Sequence, residues 1–182
     1  MVAILPPTTA QAPVVEQLLD HGFGPNRQNK TSYRFRDGVA PIQSLARVAV
    51  SGEAVVGTIQ YWPMRLGRES VLLLGPLAVW IGWANQGIGG ALMATSLSAA
   101  LTEGWQHVFL VGDLAYYTRF GFEPSSPWGV TMADEQQHRL LGRCLGDAPP
   151  PQPGELQPMR ANSAATASAP APASVTTSAF FK

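Results

Sequence analysis

Three glycines lie close together where a buried strand is expected to give way to a helix, in the segment NQGIGGALM (85–93). Glycine costs about 1 kcal/mol relative to alanine inside a helix, so this placement needs a physical reason. The first N–H groups of a helix have no partner within the helix and carry a partial positive charge, which suits a phosphate. Glycines let a phosphate approach the main chain closely, but they also let a helix pack tightly on a sheet. The segment alone does not choose between these two interpretations.

Several other kinds of site are excluded by residue type. A P-loop needs Gly-Lys before Ser or Thr, and no lysine lies between residues 31 and 181. The dinucleotide fingerprint needs G-x-G-x-x-G, whereas this chain has G-x-G-G. Cys144 is the single cysteine and has no histidine–acid pair near it in the sequence, so we expect neither a disulfide nor a thiol nucleophile. The histidines lack metal-ligand spacing, and we predict no metal site; they are His21, His107 and His138.

Composition limits the partners and the location that we expect. The formal net charge is zero and 13% of the residues are charged, so the chain exerts no general attraction on nucleic acid or acidic membranes. Residues 1–10 lack the basic start and apolar core of a signal peptide. The longest apolar run, 71–84, is too short to span a bilayer. We therefore expect a cytoplasmic monomer or homodimer with no nucleic-acid or membrane partner.

Hydrophobic patterns predict the elements that position the glycine segment. One helix is expected over 13–21 with Gly22 as its stop, followed by a short helix or ordered loop over 26–37. A hairpin of two strands is expected over 45–50 and 54–62, followed by a long strand buried on both faces over 69–79. A helix over 87–103, a further buried strand over 107–111 and a last edge strand within 154–159 follow.

Two segments, LGPLAVWIGWANQGIGGALM (74–93) and LVGDLAYYTRFGFEP (110–124), together resemble the GNAT superfamily of acetyl-CoA-dependent N-acyltransferases. The family has a cofactor signature, Gln/Arg-x-x-Gly-x-Gly/Ala, and a distal signature, a tyrosine four residues before Gly-Phe. The matching residues are Gln86, Gly89 and Ala91 for the first, and Tyr117 with Gly121 and Phe122 for the second. The resemblance covers roughly residues 10–160. It departs from the family where the apolar WIGWAN replaces the proline and the basic or polar residue that many members have before the glutamine.

The resemblance implies an α/β (α+β) fold with a mixed, mostly antiparallel central sheet, in which parallel strands four and five splay apart, flanked by helices. Residues 1–160 would form this acetyltransferase domain. Residues 161–182 are mostly Ala, Ser, Thr and Pro, which is typical of a low-complexity, disordered tail.

Deleting residues 161–182 is expected to leave the melting temperature nearly unchanged. A segment of this composition buries too little apolar surface to offset its ordering entropy. Thermal melts of the shortened chain and the full chain check this, and a large drop on deletion would show that the tail docks onto the domain.

The resemblance also implies where acetyl-CoA binds. Its pyrophosphate would lie on the N–H groups of 86–91, and its pantetheine arm would pair with the exposed edge of 77–79. Pro76 has no N–H, which fits a position where regular pairing is broken. Two alternatives stay open for Trp80 and Trp83: they would pack against the adenine of the cofactor, or they would be aromatic residues of the core. The implied cofactor-binding residues are Leu77, Ala78, Val79, Gln86, Gly87, Ile88, Gly89, Gly90 and Ala91.

The family reaction is direct attack of an amine on the thioester, with no covalent enzyme intermediate. The resemblance implies the Val79 N–H as the donor to the oxyanion and Tyr117 as the acid for the leaving thiolate. In many members of the family, a carboxylate on the fourth strand takes the proton from the amine. The strand over 69–79 has Glu69 as its one carboxylate, so a water chain, Tyr61 and a backbone carbonyl stay open.

The acceptor amine is not identified by the sequence. The segment TSYRFRDG (31–38) supplies Tyr33, Arg34 and Arg36, which could hold an acidic group of the substrate; the alternative is a solvated basic helix. The expected function is N-acetyl transfer to an amine of a small molecule or protein. The alternatives are a non-catalytic acyl-CoA-binding or regulatory module of the same fold and an acyltransferase that uses another acyl donor. An acyl carrier protein as that donor would need a basic docking patch near the cofactor mouth. Arg119 is the one basic residue near the expected mouth along the chain, which disfavours this donor.

Overall fold

A mixed sheet organises the computed structural model, which describes residues 1–160. The strands are β1 (Val2–Leu5), β2 (Arg47–Ser51), β3 (Ala54–Leu66), β4 (Glu69–Val79), β5 (His107–Val111), β6 (Glu123–Pro124), β7 (Val130–Thr131), β8 (Leu140–Cys144) and β9 (Gly154–Pro158). The helices are α1 (Ala12–Phe23), α2 (Thr31–Arg34), α3 (Ile88–Thr102) and α4 (Leu114–Tyr117). The order across the sheet is β1-β2-β3-β4-β5-β8-β6, with β9 beside β3 and β7 beside β9. Our expectations for residues 161–182 concern a segment outside the described residues.

β4 and β5 are neighbouring parallel strands that stay paired over a short stretch only. β4 pairs antiparallel with β3 along most of its length, but it pairs with β5 only at Leu72 and Leu73. The register of β3 against β4 shifts opposite Gly75 and Pro76. After this irregularity, the edge of β4 on the β5 side has no strand neighbour in the described chain. The splayed parallel strands predicted from the resemblance are thus confirmed.

Helices α1 and α3 cover opposite faces of the sheet. Successive strand residues point to opposite faces, and in β2 Val48 belongs to the apolar cluster under α1, whereas Ala49 belongs to the cluster under α3. The residues that α1 buries are Val15, Leu18 and Leu19, and the apolar residues that α3 buries are Ile88, Leu92, Met93, Leu97 and Ala100. This layering confirms the predicted sheet flanked by helices.

Several elements differ from the prediction, and β3 extends to Leu66 instead of ending at residue 62. Helix α1 does not stop at Gly22 but continues to Phe23, and Gly24, with a φ of 87°, ends it; tertiary packing of its apolar face outweighs the small helix penalty of one glycine. β1, β6, β7 and β8 were not predicted: the first three have only two to four residues, and β8 contains a glycine and an arginine. β9 is present, but it pairs with both β3 and β7 and is therefore not an edge strand.

Candidate functional site

A cleft of about 1160 Å³ opens where β4 and β5 diverge. The end of β4 from Leu74 to Val79 and the start of α3 from Gly87 to Gly90 line two sides, and residues in and beside α2 and α4 line the others. Small-molecule sites usually have volumes of about 300–1,000 Å³. The cleft is therefore large enough for an extended ligand and a second, smaller one.

The free edge of β4 offers backbone N–H groups to the cleft. The Trp80 N–H donates to the Val56 carbonyl of β3 at 2.9 Å. N–H groups along a strand alternate between its two edges, so those of Leu77 and Val79 point away from β3, while Pro76 has none. These two groups can pair with an extended ligand. The oxyanion role of Val79 stays a prediction, and Leu77 has the same orientation.

The first turn of α3 presents backbone N–H groups without acceptors. Gly87 is the N-cap residue, and no side chain caps the helix. The Ala91 N–H is the first to bond within the helix, and it donates to the Gly87 carbonyl at 3.0 Å. In residues 1–160 the N–H groups of Ile88, Gly89 and Gly90 find no acceptor, and all three residues line the cleft. This is the arrangement that binds an anion.

The Gly87→Ala substitution is expected to lower the free energy of unfolding by about 1–2 kcal/mol, because a residue with a Cβ is disfavoured in the left-handed region. Gly87 has a φ of 80°. Urea unfolding beside a Gly82→Ala control measures the effect, since Gly82 lies in the preceding turn with open space around its Cβ position. Equal stability of both variants and the parent would show that the left-handed turn is not needed.

Gly89 lies close to a hydroxyl group from α4. A Cβ at Gly89 would lie 2.7 Å from the Tyr116 hydroxyl oxygen, whereas a Cβ at Gly90 would lie 3.9 Å from the Phe120 ring. The Arg119 guanidinium stacks over the Tyr116 ring at 4.0 Å and also lines the cleft. Sequence reasoning gave Tyr116 no role, yet its hydroxyl lies beside the glycine turn with a positive charge next to its ring.

Tyr117 lines the cleft and packs its ring against the core. The ring contacts Gly112, where a Cβ would leave it no room, and lies 6.0 Å from the Phe122 ring. Asp113 caps α4 by accepting the Ala115 N–H at 3.0 Å. Burial raises the pKa of the Tyr117 hydroxyl to about 12. The hydroxyl is therefore protonated at neutral pH and can donate a hydrogen bond or a proton.

The sequence offered three side chains in and just after α2 as candidates for binding the substrate, and two of them line the cleft. Tyr33 and Arg36 are buried and line the cleft. Arg34 does not line it; its side chain is 63% exposed and lies 3.7 Å from Asp134. Tyr33 and Arg36 are three positions apart and so share a face of the helical turn, which excludes Arg34 from that face.

Most of the implied cofactor-binding residues line the cleft, but two do not. The Gln86 side chain donates to the Gly82 carbonyl at 3.3 Å, and Ala91 is exposed beyond the first turn of α3. Those that line the cleft are Leu77, Ala78, Val79, Gly87, Ile88, Gly89 and Gly90. Trp83 lines it too. Trp80 instead packs against the core, and its indole N–H donates to the Val55 carbonyl at 3.1 Å.

Two proton acceptors considered from the sequence lie outside the cleft. Tyr61 is fully buried, its hydroxyl lies 2.8 Å from the Ser96 hydroxyl, and burial raises its pKa. Glu69 lies at the opposite end of β4, 3.3 Å from His107. Neither side chain can reach a ligand in the cleft.

The carboxylates that line the cleft are those of Asp113 and Glu135. Asp113 is engaged as the cap of α4, whereas Glu135 accepts only the N–H of the next residue within the described chain. Sequence reasoning missed Glu135 because it lies in the polar loop before β8, a strand that was itself not predicted. No local pattern places that loop at the cleft.

The remaining reactive groups lie away from the cleft. Burial raises the pKa of the Cys144 thiol, and Cys144 does not line the cleft. Among residues 1–160, no three His, Cys, Asp or Glu side chains gather into a group that could hold a metal ion. None of the helices in that range has the length and apolar character needed to cross a membrane.

Comparisons with known proteins agree with this fold. A sequence model of the acetyltransferase (GNAT) family matches residues 13–122. The chain is 31% identical over 144 residues to the uncharacterised N-acetyltransferase YhbS of Escherichia coli K12, covering 74% of this chain and 84% of that protein. The crystal structure of the Escherichia coli GNAT family N-acetyltransferase YhbS in complex with CoA is similar, with a TM-score of 0.75, 25% identity, and coverage of 86% of this chain and 89% of that one. A GNAT family acetyltransferase from Brucella melitensis in complex with acetyl-CoA shares the fold, with a TM-score of 0.65, 24% identity, and coverage of 86% and 95%.

Proposed function

Because this chain belongs to the GNAT family of acetyltransferases, we propose that it transfers an acetyl group from acetyl-CoA to an amine of a small molecule or protein by direct attack. One observation carries the proposal: free N–H groups at the start of α3 and on the edge of β4 face the same cleft. The first set suits a pyrophosphate, and the second suits an extended amide-bearing arm that pairs like a strand. The similar solved protein that holds CoA supports this assignment.

The residues at the glycine turn fit a phosphate group. Gly89 and Gly90 leave the main chain uncovered, and the Arg119 guanidinium at the same end of the cleft adds positive charge. A phosphate there would satisfy N–H groups that otherwise have no acceptor in the described residues. We assign the pyrophosphate to this turn and the pantetheine arm to the edge of β4 at Leu77 and Val79.

The chemical step moves one acetyl group and one proton. The amine nitrogen bonds to the thioester carbon, the carbon–sulfur bond breaks, the amine loses a proton and the sulfur gains one. The Val79 N–H donates to the carbonyl oxygen as negative charge develops on it, and the Leu77 N–H is the alternative donor. Tyr117 donates to the sulfur, for which its raised pKa keeps it protonated.

Glu135 is our candidate acceptor for the amine proton. It is half-buried, it lines the cleft, and Asp113, the other carboxylate there, is engaged as a helix cap. A carboxylate at the cleft can take the proton directly or through one water. This assignment replaces Glu69 and Tyr61, which lie outside the cleft.

Two measurements on the full chain test the proposed function. Calorimetric titration with acetyl-CoA should show saturable binding, and assays of thiol release over a panel of amines should find at least one amine that is acetylated. Binding without release of thiol for any amine would favour a non-catalytic acyl-CoA-binding module. Failure to bind acetyl-CoA would contradict the site itself.

A further inference from the structure

A buried guanidinium in the cleft, at the β4 bulge, has no counter-ion among the described residues. Arg36 is 8% exposed, and its Nε and Nη1 atoms have no hydrogen-bond partner within residues 1–160. No carboxylate of the described chain forms an ion pair with it. Burial lowers its pKa to about 10, so it stays charged at neutral pH. An unpaired buried charge destabilises the folded protein, so its presence indicates a role in binding rather than in stability.

Arg27, which lies nearby, shows how this region pairs an arginine that serves structure. Arg27 is 4% exposed, and its guanidinium binds Asp20 at 2.7 Å and also Glu16, both from α1. Arg36 is about as buried and has neither kind of partner in the part of the chain that the structure describes. The hydrogen-bonding capacity of the Arg36 guanidinium is therefore unused within the described residues.

Aromatic rings hold the Arg36 guanidinium without using its N–H groups. Its Cζ lies 4.8 Å from the centroid of the Tyr33 ring and 5.9 Å from that of Trp62. Its Nη2 lies against the bulge of β4, 3.3 Å from where a Cβ on Gly75 would stand. The Tyr33 hydroxyl is also buried and has no partner among the described residues. A fixed cation thus lines the cleft, and the neighbouring Tyr33 hydroxyl is a second buried donor that no described residue uses.

We propose that Arg36 and Tyr33 bind a carboxylate on the acceptor, so that the acceptor is an amine that also carries a carboxylate, as an amino acid does. The proposal rests on the proposed function, since it names the acceptor class of the same cleft. A guanidinium takes a planar carboxylate through two parallel N–H groups. The Tyr33 hydroxyl supplies a further donor.

The point at which Arg36 contacts β4, next to Gly75, sets the spacing between the carboxylate and the amine of the acceptor. Gly75 precedes Leu77 by two residues and Val79 by four, which corresponds to at most about 7 Å and 13 Å, because the bulge shortens the regular rise of a strand. A carboxylate and an amine on the same carbon suit the shorter distance, and an amine at the end of a longer chain suits the other. The panel below therefore includes both.

The test compares acids with their uncharged amides. Glycine, leucine, phenylalanine and 4-aminobutyrate are assayed beside their primary amides by thiol release, with the parent chain, Arg36→Met, Arg34→Met and Arg68→Met. Methionine keeps an unbranched apolar stem and removes the charge. The ratio of kcat/KM for acid over amide should fall about 10- to 100-fold in Arg36→Met. It should keep its parent value in Arg68→Met, a matched control in the exposed turn between β3 and β4.

A binding measurement covers the case of slow turnover. With CoA present, N-acetylleucine and N-acetylphenylalanine should raise the melting temperature of the parent more than their amides do, and this difference should vanish in Arg36→Met. Without ligand, Arg36→Met should melt no lower than the parent, because it removes an uncompensated buried charge.

Each outcome decides one of the two proposals. Loss of the acid preference in Arg34→Met rather than Arg36→Met would overturn the assignment, as would an equal response to acids and amides in the parent. An Arg36-dependent shift with inorganic phosphate but not with carboxylates would overturn the carboxylate class. Acetyl transfer with the same ratio in every variant keeps the proposed function and removes the subsite. A carboxylate shift that depends on Arg36, without acetyl transfer, keeps the subsite and contradicts the proposed function.

Discussion

The Tyr117→Phe substitution is expected to lower turnover by about 10²- to 10⁴-fold, the usual contribution of general acid catalysis, while the affinity for acetyl-CoA stays nearly constant. The change keeps the ring that packs on Gly112 and Phe122 and removes only the hydroxyl. Single-turnover thiol release and calorimetric titration separate the two effects. Since burial raises the pKa of Tyr117 to about 12, the acid form should persist, and no loss of activity from this group is expected up to about pH 11.

Tyr116→Phe is the matched control for that experiment. One residue along a helix rotates a side chain by about 100°, and the Tyr116 hydroxyl lies at the glycine turn instead. We therefore expect a much smaller loss of turnover from Tyr116→Phe than from Tyr117→Phe. Full turnover in Tyr117→Phe would show that Tyr117 is not the acid, and a reversed order would transfer the role to Tyr116.

Gly89→Glu should abolish measurable binding of acetyl-CoA. A Cβ at Gly89 already lies within 2.7 Å of the Tyr116 hydroxyl, and the added carboxylate would occupy and repel the site of the pyrophosphate at the start of α3. Affinity should fall by at least about 100-fold, since the steric and electrostatic effects act on the same group. Calorimetric titration measures the loss.

Gly82→Glu is the matched control for Gly89→Glu. It adds the same charge at a nearby glycine that is exposed, lies outside the cleft and has open space at its Cβ position. We expect it to bind acetyl-CoA close to parental affinity. If Gly89→Glu also binds at parental affinity, the cofactor does not use the start of α3.

The central unit of the fold could be predicted from the sequence because its signals are local. The strands predicted over 69–79 and 107–111 are found as Glu69–Val79 and His107–Val111. Both are continuous apolar runs with turn residues or a helix start beside them, so burial and boundaries follow from the same residues. β1 (VAIL) is also a continuous apolar run before two prolines, but it is only four residues long, and β8 is interrupted by a glycine and an arginine; strands this short depend on their neighbours for burial and pairing.

The candidate site divides in the same way. The helix start at the glycine segment was predicted from the sequence, and the roles of this turn and of Tyr117, which the family resemblance implies, stay predictions. The choice of Arg36 over Arg34 could not be predicted, because α2 has a single turn and its orientation is set by packing rather than by hydrophobic period. Glu135 could not be predicted either, because its loop reaches the cleft only through the pairing of β8 with β5.

The most direct test of the account follows the acetyl group itself. The full chain is mixed with the best amine of the panel and with acetyl-CoA that carries ¹³C in its acetyl group. The masses of the protein and of the small molecules are then measured by mass spectrometry during a single turnover. Direct transfer predicts labelled N-acetyl product in step with one equivalent of free CoA thiol, with no acetylated protein formed on the way. Label that reaches no amine, or label that passes through an acetylated protein side chain before it reaches the amine, would contradict it.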